Sequence, residues 1–277
     1  MKKIIILPLL AILISFIACS PIDDREELKG NITADQIDAI VTVETIDGKN
    51  VNKIKFECHS PINCKWSNGV VTVAANSGEM QMFITGDQTV TLTGLNSDGT
   101  TLTKEYSVRI DELYYPIAKE YEYFCGPTGE KIWRWDTEAA IPYGMGGYMA
   151  SSNGDWASSD MDAIQAKADA ADKSNEGKNG RLKFSLNGMK ITKLNNDGSD
   201  GSESTFLFDM SRQTPNFMGN EWAIGKVYTN TSDALLLGFD HPSTEFDILR
   251  LDEDKMVLVS TESGAWAGAY FWFFEAE

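Results

Sequence analysis

The chain has 277 residues and carries 24 Lys or Arg against 41 Asp or Glu, a net charge of −17. Binding a polyanion rests on clustered Lys and Arg, so this excess of carboxylates argues against nucleic acid as a partner and leaves neutral sugars, cations and other proteins open. The length allows one large or two ordinary domains, at about 100 to 200 residues each.

At the start, Lys2 and Lys3 precede an apolar run from Ile4 to Leu13 and the sequence Ile14-Ser15-Phe16-Ile17-Ala18-Cys19. This pattern predicts a lipoprotein signal peptide over residues 1-18, cleaved before Cys19. The apolar run is shorter than the roughly 20 residues a membrane-spanning helix needs. Lipid on Cys19 would hold the mature chain to a membrane, and loss of Lys2 and Lys3 would leave it at a net charge of −19. Residues 19-34 then read as a solvated tether, because Asp23-Asp24-Arg25-Glu26-Glu27 has too little apolar surface to fold alone. This leader resembles the acidic export leaders of surface lipoproteins in Bacteroidota-type bacteria. The resemblance implies lipid anchoring in the outer membrane with display on the cell surface, and makes outer-membrane transporter proteins candidate partners. A plain linker facing the periplasm is the alternative.

Residues 35-112 read as a small β module. Ala39 to Thr45 and Val51 to Cys58 are β-rich runs joined by Asp47-Gly48-Lys49-Asn50, and Thr89 to Leu95 and Thr101 to Ile110 are joined by Asn96-Ser97-Asp98-Gly99-Thr100. Cys58 and Cys64 are close enough to bridge a loop in an oxidising compartment, leaving Cys125 unpaired. With His59 and His241 as the only histidines, a Cys/His zinc site is poorly supplied, and neither a metal nor another cofactor is expected. The order Trp66, then Asn68-Gly69, then Thr89-Val90-Thr91-Leu92-Thr93 and Tyr106-Ser107-Val108-Arg109-Ile110 resembles a PKD-like, immunoglobulin-type β-sandwich. The resemblance implies that Trp66 is the buried sandwich tryptophan and that the module is a spacer. Trp66-Ser67-Asn68-Gly69-Val70 stands where the stronger PKD sequences carry an acidic, glycine-containing core.

Residues 113-277 form the second module, reached through a join at about Asp111 to Lys119 where Pro116 cannot continue a central strand. Nine strands are predicted: Lys131 to Trp135, Arg181 to Leu186, Met189 to Leu194, Ser204 to Met210, Ala223 to Tyr228, Ala234 to Phe239, Glu245 to Leu251, Lys255 to Ser260 and Ala265 to Phe274. They suggest a larger sandwich or a barrel of jelly-roll or lipocalin-like type, in a chain that is all-β except for a helix over Asp160 to Lys173. Trp133-Arg134-Trp135-Asp136, Tyr143-Gly144-Met145-Gly146-Gly147-Tyr148, Asp155-Trp156 and Phe246-Asp247-Ile248-Leu249-Arg250-Leu251 are similar to the C-terminal domain of PKD-containing surface lipoproteins of gut Bacteroidota. That likeness implies surface display and glycan handling, with no reaction attached.

Sugar rings present C–H faces that stack on indole and phenol, while amides and carboxylates bind their hydroxyls. The candidate ligand-binding set is accordingly Trp135, Asp136, Tyr143, Tyr148, Asn153, Asp155 and Trp156, with Trp222 as a second loop aromatic. Trp133 and Trp135 share a strand face, where an aromatic is more often core. Trp266, Tyr270 and Trp272 read as core of the last strand. A glycosidase needs two carboxyl groups about 5 to 9.5 Å apart, and no compact motif places them. The Asn195 to Glu203 segment reads as a hairpin turn rather than a calcium loop. The expectation is a non-catalytic surface lipoprotein that captures a polysaccharide or oligosaccharide. A protein-binding adhesin or assembly subunit and a tethered glycoside hydrolase are the alternatives.

Overall fold

The computed structural model describes residues 30–277; the predicted signal peptide, the predicted lipidation at Cys19 and most of the tether lie outside the described residues. The first module is a β-sandwich of two antiparallel sheets. Strands β1 (Ala39–Ile46) and β2 (Lys49–Cys58) meet at Asp47-Gly48, both with φ positive, the conformation a two-residue hairpin with the native strand twist requires. After β3 (Asn63–Ser67), β4 (Thr72–Val73) and β5 (Ser77–Gln81), the long pair β6 (Gly86–Leu95) and β7 (Thr101–Ile110) completes the sheets β1-β2-β5 and β4-β3-β6-β7. Alternate residues of facing strands fill the space between them, with Ile54, Phe56, Trp66, Val90 and Leu92 all buried. Trp66 packs at a tilt of 30° against Phe56, 4.8 Å between ring centroids, and its Nε1 donates to the Ala75 carbonyl at 3.1 Å. Cys58 and Cys64 lie in this core as free thiols, so the predicted bridge is not formed in this structure. Burial, followed by a hydrogen bond with Cys58, pushes the Cys64 thiol up to about 12, which keeps it protonated and unreactive at neutral pH.

The second module is a closed, eight-stranded antiparallel barrel. Helix α1 (Lys119–Cys125) leads into β8 (Glu130–Trp135), and an insertion of β9 (Tyr143–Gly147), β10 (Ala157–Ser159) and α2 (Met161–Ala170) follows. The chain then continues through β11 (Arg181–Ser185), β12 (Lys190–Leu194), β13 (Asp200–Asp209), the small hairpin β14 (Thr214–Pro215) and β15 (Glu221–Ala223), β16 (Gly225–Thr229), β17 (Glu245–Leu251), β18 (Lys255–Ser260) and β19 (Gly268–Ala276). The wall runs β8-β11-β12-β13-β16-β17-β18-β19 and closes where Phe274 pairs with Trp135. This up-and-down order removes both sheet edges and selects the barrel over the sandwich that the strand count also allowed. Asp160 caps α2 by accepting from the Ala163 amide at 2.9 Å, and Ile164 and Ala168 face the core.

The barrel interior is a packed core. Trp133, Trp135, Phe184, Phe206, Phe246, Trp272 and Phe274 are buried inside it, and each tryptophan ties the wall to a plug at an end. Trp133 Nε1 donates to the Phe124 carbonyl in α1 at 2.9 Å, closing one end. At the other end Trp135 Nε1 donates to the Gly177 carbonyl at 3.0 Å and Trp272 Nε1 to the Leu236 carbonyl at 2.9 Å. The predicted strand Ala234 to Phe239 is this second plug, an irregular segment with Leu235, Leu236 and Leu237 buried. A short apolar run buried on all sides has no period by which strand and plug can be told apart. Glu176 fixes the plug from within, accepting from Lys193 Nζ at 2.8 Å and from the Leu237 amide at 2.7 Å. Burial lowers the Lys193 pKa, and Glu176 draws it back towards the charged form.

Candidate functional site

The barrel-wall strands carry no exposed aromatic cleft, so most of the predicted ligand-binding residues serve the fold. Trp135 is core, for the reason just given. Tyr143 is buried beside Trp272, and its hydroxyl donates to Asp240 Oδ2 at 3.0 Å. Tyr148 is buried, and its hydroxyl donates to the fully buried Asp247 at 2.8 Å. Burial first, and the Asp240 carboxylate second, raises the pKa of Tyr143; burial and then the hydrogen bond to Asp247 do the same to Tyr148. Both phenols therefore remain neutral donors.

Asp136 is not free to meet a ligand either. Lys255 Nζ donates to Asp136 Oδ1 at 2.7 Å, to Glu275 Oε2 at 3.1 Å and to Glu138 Oε2 at 3.4 Å. Oxygens of these three carboxylates come within 4.8 Å of one another, and the ammonium occupies the centre that a bound cation would need. Burial opposes the charge on Lys255, but the hydrogen bonds to Asp136 and Glu275 outweigh it and raise the pKa. Asp136, Asp155 and Glu221, the carboxylates with a conceivable joint role, have separate environments: Lys255 holds Asp136, Ser151 Oγ donates to Asp155 at 3.0 Å, and Glu221 is exposed on β15.

The exposed aromatic surface lies where three loops meet. Trp156 is 48% exposed in the turn into β10, Trp266 is 54% exposed between β18 and β19, and Phe217 and Met218 are 51% and 68% exposed at the tip of the β14–β15 hairpin. The Trp156 and Trp266 rings are parallel within 6° at 6.5 Å between centroids, and Phe217 lies 5.4 Å from Trp266. Gly147 forms the floor between the indoles, for a Cβ there would meet both rings at 2.9 Å. Asn153, on the same loop, is half-buried, with Oδ1 buried and unpartnered among the described residues.

Backbone hydrogen bonds lock the three loops to one another. Tyr148 holds the Trp266–Ala267 turn through two bonds, its amide donating to the Ala267 carbonyl at 2.7 Å and its carbonyl accepting from the Trp266 amide at 2.8 Å. The Phe217 amide donates to Met149 at 3.1 Å, which seats the hairpin tip beside them. Trp222 is half-buried under this seam, packed edge-on to Tyr148 at 5.1 Å, with Nε1 donating to the Ser151 carbonyl at 2.7 Å. It supports the surface from beneath. The stretch from Tyr143 to Gly147, outside the nine predicted strands, is strand β9, and its glycines are dictated by close approach: a Cβ on Gly144 would meet the Ala157 carbonyl at 2.6 Å, and one on Gly146 would run into the Asn153 carbonyl.

Trp266, Phe217 and Met218 were absent from the predicted set. Trp266 belongs by sequence to an aromatic terminal strand, but it stands alone within Ser263-Gly264-Ala265-Trp266-Ala267-Gly268, where small neighbours mark a turn tip rather than a wall. Phe217-Met218-Gly219-Asn220 carries the same sign, two apolar side chains against a turn glycine with φ at 84°.

The chain matches no protein-family model and no curated protein. Among solved structures, it is similar to the PKD1 domain of the Vibrio cholerae metalloprotease PrtV, at 17% identity over 27% of this chain and 95% of that one, with a TM-score of 0.23. The PKD1 domain of Vibrio anguillarum Epp is similar at 15% identity over 27% of this chain and 93% of that one, also with a TM-score of 0.23.

Proposed function

We propose that the chain is a non-catalytic, membrane-anchored capture protein whose barrel binds a polysaccharide or oligosaccharide on the Trp156–Trp266–Phe217 surface. The observation that carries this reading is the parallel, exposed indole pair held on a hydrogen-bonded seam. Flat apolar rings facing solvent suit the C–H faces of sugars, and a surface that is already rigid loses little entropy when it binds. Asp155, Asn216 and Asn220 on the flanking turns are hydrogen-bonding groups for sugar hydroxyls. Anchoring through Cys19 and outer-membrane surface display rest on the sequence pattern at the start of the chain, with the sandwich as spacer.

Titration calorimetry of the soluble protein against a panel of neutral plant and host polysaccharides tests this. A binding member that loses about tenfold or more in affinity with Trp156→Ala or Trp266→Ala supports it. The extreme exposure of Met218 favours one second reading, a protein-binding surface, since contiguous exposed apolar side chains also mark protein contacts. Retention of a membrane-extract protein by the wild type but not by Met218→Asp, with no glycan bound, would select that reading.

A further inference from the structure

A second site lies on the barrel's β8–β11 side. A polar pocket of about 520 Å³ opens where the end of β8, the start of β11 and the β12–β13 turn meet, lined among others by Arg134, Lys178, Arg181, Asn179, Asn196 and Gln165. Its charge runs against that of the chain: three cations and one carboxylate, Glu277, line it in a protein whose net charge is −17. Arg134 and Arg181 are directly opposite one another in the β8–β11 ladder. Like charges directly opposite one another destabilise a sheet unless something lies between them.

The counter-charges already present leave donors over. Arg134 Nη2 meets Glu275 Oε1 at 3.1 Å, but Glu275 also takes Lys255 Nζ at 3.1 Å and Thr137 Oγ1 at 2.9 Å. Arg181 Nη1 reaches Glu277 only at 3.8 Å, beyond hydrogen-bonding distance. No carboxylate among the described residues lies within ion-pair distance of Lys178. Two guanidinium forks with unfilled donors beside an ammonium are the arrangement that recognises an oxyanion. The amides of Asn179, Asn196 and Gln165 bring both donors and acceptors to the same pocket, as hydroxyl groups require.

We infer that this pocket binds an anionic sugar, the acidic group lying between Arg134 and Arg181 and the hydroxyls against the neighbouring amides. The sugar part rests on the carbohydrate reading above; the anion part rests on the pocket alone. The chain would then hold an acidic branch or residue here while a neutral stretch stacks on the indoles.

Titration of the soluble protein with D-glucuronate and with D-glucose tests the inference. The expected result is binding of glucuronate that weakens as salt rises, no binding of glucose at this pocket, and a loss of about tenfold or more in Arg181→Ala and in Lys178→Ala. Lys178 is exposed and outside the barrel wall, so its variant retains the fold even if Arg181→Ala does not. Trp156→Ala should leave glucuronate binding unchanged, which separates failure of this site from failure of the aromatic surface. Glucuronate affinity equal in wild type and Lys178→Ala, or no glucuronate binding at all, overturns the inference.

Discussion

Trp266 holds a left-handed backbone, with φ at 66°, a conformation that costs a bulky side chain of order 1–3 kcal/mol. The hydrogen bond its amide donates to the Tyr148 carbonyl and the packing of Phe217 hold it there, and the result is an indole turned to solvent rather than into the barrel. Gly147 completes the arrangement by what it lacks. Gly147→Ala should push the two indoles apart and weaken glycan binding by about tenfold, at a stability cost of about 1–3 kcal/mol that leaves the protein folded. Calorimetry beside a melting curve measures both, and unchanged affinity would mean that the spacing of the rings is irrelevant.

Lys255 makes the opposite point, that a charged residue near candidate ligands can be wholly structural. Glu275, whose pKa burial raises but hydrogen bonds from Thr137 and Lys255 bring below its ordinary 4.5, lends stability above pH 4.5 that is lost as pH falls through its folded value. Lys255, raised above 10.5, lends stability below pH 10.5 that is lost as pH rises through its own. The cluster therefore stabilises the barrel across the interval between. Lys255→Ala should cost about 2–3 kcal/mol at pH 7, because three carboxylates are left facing each other, and the deficit should shrink at acid pH as Glu275 takes up its proton. Urea unfolding at neutral and acid pH checks this. Sequence alone put Asp136 among the ligand-binding residues because its partner is 119 positions away. Alternation and turn chemistry carry no information about such a pair.

Among the elements, those with a regular period were readable. Glu245–Leu251 and Lys255–Ser260 lie at their predicted bounds, and the alanine-rich helix lies within its predicted range. Helix α1, strand β9 and the Ala234–Leu237 plug were not readable, because each is defined by what it packs against. A seven-residue helix has little intrinsic stability, and α1 persists because Phe124 and Cys125 are buried at the barrel end. The plugs likewise depend on the barrel tryptophans. Trp135→Phe removes the donor to the Gly177 carbonyl and part of the core volume, and should destabilise the barrel by about 2–4 kcal/mol in chemical denaturation. A change under about 0.5 kcal/mol would show that the plug holds without this indole.

For the whole molecule, the two modules are docked rather than strung on a loose linker. Val70, Phe83 and Ile84 of the sandwich pack against the barrel core, Phe83 lies 4.6 Å from Tyr121 of α1, and the Gly188 amide donates to the Gly69 carbonyl at 2.9 Å. Asn52, fully buried, ties the connecting segment down, donating to the Tyr115 carbonyl at 2.9 Å and accepting from its amide at 2.8 Å. Asn52→Ala should therefore speed limited proteolysis between residues 111 and 118 several-fold, since it orphans a backbone pair there. Cleavage at the wild-type rate would show that the docked surfaces alone secure the segment.

The sandwich abuts the barrel end that holds Gly129 and the β11–β12 turn. Trp266, in the β18–β19 turn, belongs to the opposite end, as do the β12–β13 turn and the cationic pocket beside it. A strand meander places alternate turns at alternate ends, so this polarity follows from the topology. The proposed anchor would precede the sandwich and the proposed binding surface would lie at the far end of the barrel, a layout that fits the capture function proposed above. The measurement that bears most directly on it is calorimetric titration of neutral polysaccharides against the wild type and against the Trp156→Ala/Trp266→Ala double variant. Saturable binding by the wild type that is lost in a double variant of unchanged melting temperature is the result predicted. Equal binding by the two proteins, or none by the wild type to any member of the panel, would contradict the account.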